Sequence, residues 1–166
     1  MHSACVVVGR RGAGQDRAVV QTGDSGMLIA LADGAGGRGG GAAAAEQSVN
    51  HAVERHFQSE DWSPARVVAE IDRLLYADRD AGESTLIFAE LIGDRLRGAS
   101  VGDSGAWLIG DDDFVELTEA QIRKPMLGSG SAMGTEFTAT LGTDTLLIAS
   151  DALLKYAAPS TICSIV

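Results

Sequence analysis

Apolar residues along the chain recur with two different periods. Near the start they form short β-branched blocks, "ACVVV" (4–8), "RAVVQ" (17–21) and "GMLIALAD" (26–33), which read as strands, the last closing on Asp33. Over 42–77 the spacing becomes helical. In "AAAAEQSVNHAVERHF" (42–57), Ala42, Ala45, Val49, Ala52, Val53 and Phe57 share one face. In "WSPARVVAEIDRLLYA" (62–77), Val67, Ile71, Leu74 and Leu75 make an apolar stripe, with Ser63 as N-cap and Pro64 at the first helical position. From residue 84 the pattern is extended again: 84–93, 95–103, 105–110 and 113–118 read as an antiparallel meander, with turns at Gly93-Asp94 and Gly110-Asp111. After a loop over 119–136, 137–141 and 144–151 are strands and 152–157 is a helical turn. Ser160 is placed as the cap of a last helix.

Strands, a helix pair, a meander and more strands, without strict alternation, indicate an α+β fold. The 166 residues suit a single domain over 1–166, and 45% hydrophobic residues are enough for a core. A formal net charge of −10 excludes the basic face that nucleic acid requires. No basic-then-apolar leader and no run of 18 apolar residues is visible, so the reading is a soluble cytoplasmic protein with no membrane partner. Cys5 and Cys163 read as buried free thiols of a reducing compartment. His2, His51 and His56 lack ligand spacing. His51 and His56 are five apart on a helix and read as surface side chains.

Composition does not account for "LADGAGGRGGG" (31–41), where six of eleven residues are glycine. Such a stretch is costly to order and implies close approach to the backbone. Gly34, Gly36 and Gly39 match a dinucleotide fingerprint, but Asp33 would face the pyrophosphate, and a second helix follows where the motif needs a strand. The acids offer another answer. Asp33 closes "LIALAD", Asp103 closes "GASVGD" and Asp151 closes "LLIASD", while Asp16 precedes a strand in "GQDRAVV". Carboxylates at converging strand ends repel one another unless a cation intervenes, and oxygen-only donors suit Mg²⁺ or Mn²⁺.

In order, the chain carries "RGAGQD" (11–16), "DGAGG" (33–37), "GESTL" (82–86), "VGDSGAWLI" (101–109) and "SDALL" (150–154). These five elements resemble those of the metal-dependent protein phosphatases of the type 2C class, bacterial type. The resemblance implies a four-layer α-β-β-α sandwich of two antiparallel sheets with helices outside. It implies two Mn²⁺ or Mg²⁺ ions bridged by Asp33, with the Gly34 carbonyl and Asp151 as ligands and Asp16 acting through water. A third, weaker site would use Asp103 with Asp151. Arg11 would clamp the substrate phosphate, since a guanidinium matches phosphate oxygens bidentately. Arg11 and Asp33 would then be the catalytic pair of a serine/threonine phosphoprotein phosphatase using metal-activated water. The chain shows no Ser-His-Asp or Cys-His set that would supply a protein nucleophile.

The chain also departs from that family. Ala35 stands where many eukaryotic members have histidine, Gly14 where asparagine is usual, and Ala152 where glycine follows the late aspartate. The family closes with a D-[ND] turn and a core strand whose Asp holds the second metal, and Val166 comes before any such segment. Three expectations follow. The sandwich is C-terminally incomplete. The chain either self-associates through its open sheet or holds its second ion weakly; a monomer that binds two ions tightly would mean that Asp144 or Glu136 replaces the missing ligand. The alternative to an enzyme is a phosphatase-like module that binds a phosphoprotein or regulatory partner without hydrolysis. In the family, the segment corresponding to 123–134 is a mobile flap.

Overall fold

The computed structural model describes residues 14–24, 26–36, 39–58, 63–111 and 113–165. The strand expected over 4–8 lies outside them. Five strands, β1 (Arg17–Gly23), β2 (Gly26–Ala32), β3 (Leu86–Ile92), β4 (Arg95–Val101) and β7 (Thr135–Thr140), form an antiparallel sheet in the order β1-β2-β3-β4-β7. Three more, β5 (Gly105–Ile109), β6 (Phe114–Glu116) and β8 (Thr145–Ala149), form a second sheet in the order β6-β5-β8. Helices α1 (Gly41–Gln58) and α2 (Pro64–Ala77) cover the larger sheet, and the short helices α3 (Asp151–Tyr156) and α4 (Pro159–Cys163) lie on the smaller.

Three apolar layers hold these elements together. Leu28, Ala30, Leu86, Phe88, Ala99 and Val101 face Ala44, Ala45, Val49, Ala52, Val68, Ile71 and Leu75 of the helix pair. The alternate residues Ile87, Ala89, Leu91, Leu96 and Phe137 face Ala106 and Leu108 of the second sheet. Trp107, stacked on Phe114 at 4.4 Å between ring centroids, and Ile109 receive Ile162 of α4. The arrangement is the α-β-β-α sandwich expected. Strand β3 has six of its seven residues buried because both its faces are covered, a helix pair on one and a sheet on the other.

Several expectations need correction. The meander is not one sheet: β3 and β4 belong to the large sheet and β5 and β6 to the small one. The chain crosses over at Gly102, whose φ of 98° suits a residue without Cβ and whose position leaves no room beside Thr85. Leu74 is 50% exposed, and Asp72 is buried in its place. Ser63 precedes α2 without a side-chain cap, and Glu136 Oε1 instead accepts the Ala65 N–H at 2.9 Å. Ala158, not Ser160, flanks α4 at its start. His56 is no surface residue: its side chain is 3% exposed and its Nδ1 lies 3.1 Å from buried Glu90, which also pairs with Arg97. His51 is half-buried, 3.5 Å from Glu70.

Part of the 123–134 stretch is anchored to α2. Asp72 Oδ1 accepts the N–H groups of Gly128 (2.9 Å) and Gly130 (3.1 Å), and Oδ2 accepts that of Ala132 (3.1 Å). Leu127, fully buried, pairs both ways with Ser84 through its backbone. Asp72→Ala orphans three N–H groups and should cost about 2–4 kcal/mol in urea unfolding. A loss below about 1 kcal/mol would mean that the loop does not depend on this carboxylate.

Burial holds the pKa of His56 below its ordinary value, against the pull of Glu90 and with a smaller push from Arg97. The folded state therefore binds fewer protons than the unfolded one, so stability rises with pH through about 6.5 and is lost below it. His56→Gln should flatten that slope between about pH 5 and 7 in denaturation series. An unchanged slope would remove His56 from the account.

Candidate metal centre at one end of the sandwich

The register of the sheets decides which acids meet. Arg17 pairs with Ala32, so Asp16 and Asp33 leave β1 and β2 at the same end. Leu86 pairs with Val101 and Gly105 with Ala149, which brings Asp103, after β4, and Asp151, after β8, to that end too. Four carboxylates from four strand termini thus converge. The Asp33 carboxyl is pushed up to about 7, first by burial, then by its hydrogen bond to Asp16 and the charges of Asp16, Asp151 and Asp103. A carboxyl that holds its proton near neutrality under the pressure of three other acids marks a place where a cation is favoured.

The backbone around Asp33 is clamped. Asp33 N–H donates to Thr85 Oγ1 at 3.0 Å, and its carbonyl accepts Thr85 N–H at 2.9 Å and Ser84 Oγ–H at 3.0 Å. Thr85 Oγ1 and Ser104 Oγ lie 2.9 Å apart, tying the clamp to the turn that carries Asp103. Gly34 N–H donates to the Gln15 carbonyl at 3.3 Å, which fastens the Asp16 loop to the same point. Arg17 adds bonds to the carbonyls of Gly14 and Asp16, 2.9 Å each. Ser84, Thr85, Ser104 and Arg17 are supporting residues; of these, Ser84 and Thr85 lie in "GESTL" and Ser104 in the turn of "VGDSGAWLI".

The glycines serve backbone packing. A Cβ on Gly34 would strike the Gly41 carbonyl, and one on Gly41 would meet the Ala35 carbonyl at 2.6 Å. The loop folds back on the start of α1, so side chains have no room. The dinucleotide alternative fails on topology, since β2 and β3 are antiparallel neighbours.

Arg11 lies outside the described residues. Neither Asp144 nor Glu136 is among the acids that act on Asp33. Asp144 precedes β8 at the end opposite Asp151, and Glu136 is engaged at the start of α2.

Asp16 and Asp33, with the adjoining Gly34 carbonyl, fit a hard divalent ion by donor type and by the crowding that raises Asp33. The described residues hold no ready-made group of three or more metal-binding side chains. At the Asp103–Asp151 side a cation is already supplied: Lys155 Nζ lies 3.1 Å from Asp103 Oδ2 and 2.5 Å from Asp151 Oδ2.

No family model matches the sequence, and no curated protein does so significantly. Solved structures do. A bacterial serine phosphatase superposes with a TM-score of 0.81 at 19% identity, over 95% of this chain and 80% of that one. The serine/threonine phosphatase Stp1 from Staphylococcus aureus gives 0.81 at 17% identity, over 99% and 86%. The catalytic domain of the serine/threonine phosphatase PstP, in complex with two manganese ions, gives 0.72 at 21% identity, over 93% and 78%. The chain has the type 2C phosphatase fold. Among its described residues, no helix is long and apolar enough to cross a membrane.

The shift on Asp33 carries a sign. The folded state binds the extra proton between pH 3.8 and about 7, so this contribution to stability is present below 3.8 and lost as pH rises through 7. With chelator present, Asp33→Asn should therefore stabilise the protein at pH 8 and change little near pH 3.5. Asp33 is only partly buried, so solvent screening limits the gain to about 1–2 kcal/mol, roughly 2–8 °C in Tm. A variant less stable than wild type at pH 8 would contradict the crowding.

Proposed function

We propose that this chain is a metal-dependent phosphatase that hydrolyses phosphoserine and phosphothreonine esters of proteins. The observation that carries the reading is the convergence of Asp16, Asp33, Asp103 and Asp151 at one end of a type 2C sandwich, with Asp33 pushed up to about 7 first by burial and then by these neighbours. Likeness of fold to serine/threonine phosphatases, one of them in complex with manganese, supports it.

Asp33 and Asp16 would hold the metal, with the Gly34 carbonyl as a neutral donor. When bound, Mn²⁺ or Mg²⁺ supplies an activated water and charge stabilisation for in-line displacement at phosphorus. Asp33 gives up its proton on accepting the cation, so loading tightens as pH rises through about 7. Ser84 and Thr85 fix the Asp33 backbone from both sides. Arg11, by its place in "RGAGQD", would bind the substrate phosphate.

Turnover of p-nitrophenyl phosphate and of a phosphothreonine peptide should require added Mn²⁺. It should fall about a hundredfold or more in Asp33→Asn, a larger loss than supporting residues of metal sites give. Arg11→Ala should raise KM for the peptide about ten- to a hundredfold. Absence of Mn²⁺-dependent turnover in a protein that still binds the phosphopeptide would establish the non-catalytic module instead.

A further inference from the structure

We infer that Lys155 is a built-in cation that takes the place of a divalent ion on Asp103 and Asp151. The inference rests on reading the acid cluster as a metal centre, and it divides that centre in two: ions load at the Asp16–Asp33 end, while the Asp103–Asp151 end is neutralised by the chain itself.

The geometry is local and specific. Asp151 opens α3 and Lys155 lies four residues on, so one helical turn returns the ammonium over the carboxylate. From there Nζ reaches Asp103, which the crossover at Gly102 delivers from the other sheet. The lysine thus bridges carboxylates from β4 and β8, one on each sheet, as a shared ion would. A divalent ion entering between them must break both bonds and meet a like charge at contact distance. The pair is partly open to solvent, with side chains 29–45% exposed, so the barrier is graded rather than absolute.

The test counts ions. Free Mn²⁺ is followed by electron paramagnetic resonance during titration of the full chain as wild type, Lys155→Gln, Lys155→Arg, Lys155→Gln with Asp103→Asn, and Asp33→Asn. Lys155→Gln should bind one more Mn²⁺ than wild type, or bind its weakest ion about tenfold tighter. Lys155→Arg should match wild type, and Asp103→Asn should erase the gain. Equal stoichiometry and affinity in wild type and Lys155→Gln, or a gain that survives Asp103→Asn, would overturn the inference. Asp33→Asn judges the underlying reading separately. If Mn²⁺ binding is unchanged there, the metal centre itself is wrong, whatever Lys155 does. Since Lys155 is 45% exposed, none of its variants removes core packing, and matching thermal unfolding at high chelator confirms that the folds are equivalent.

Discussion

The backbone clamp between Asp33 and the Ser84–Thr85 segment is the interaction on which the rest of the site depends. It joins the end of β2 to the start of β3 with bonds in both directions. Thr85 then passes the constraint to Ser104, and Ser84 passes it through Leu127 to the loop that Asp72 holds on α2. Burial of Ser84, Thr85 and Ser104 keeps water from competing for these bonds. Burial, then the hydrogen bond to Asp16 and the charges of Asp16, Asp151 and Asp103, raise the proton affinity of the carboxyl that this clamped backbone carries.

Charge then divides the cluster unequally. Asp16 and Asp33 are hydrogen-bonded to each other, whereas Asp103 and Asp151 share the Lys155 ammonium. The crowded half gains most from a divalent ion, because an ion there relieves desolvation and repulsion together. On the proposed reading, two halves with different cations would give one scaffold unequal metal affinities, without any change in the sheets.

Much of this was readable in the residues. An apolar run ending in Asp, three times over, is enough to place carboxylates at strand ends, and antiparallel pairing returns those ends to one side of the sandwich. Helical periodicity located α1 and α2 to within two residues at each end. Tertiary choices were less legible. The meander splits between two sheets because period-2 patterning is the same on either side of Gly102. Asp72 and His56 were hidden because a buried polar residue is legal only where partners wait, and those partners, the 128–132 backbone and Glu90, are remote in sequence. Lys155 carried a signal, its i,i+4 spacing from Asp151, but its reach to Asp103 depends on the crossover.

The central claim is that a divalent cation binds beside Asp33. Anomalous diffraction from crystals of this chain grown with Mn²⁺ tests it most directly. The account predicts a manganese peak in contact with the Asp33 carboxylate and the Gly34 carbonyl on the Asp16 side, with Lys155 still seated between Asp103 and Asp151. No peak beside Asp33 in crystals whose solution contains excess Mn²⁺, or manganese bound only elsewhere on the molecule, would contradict it.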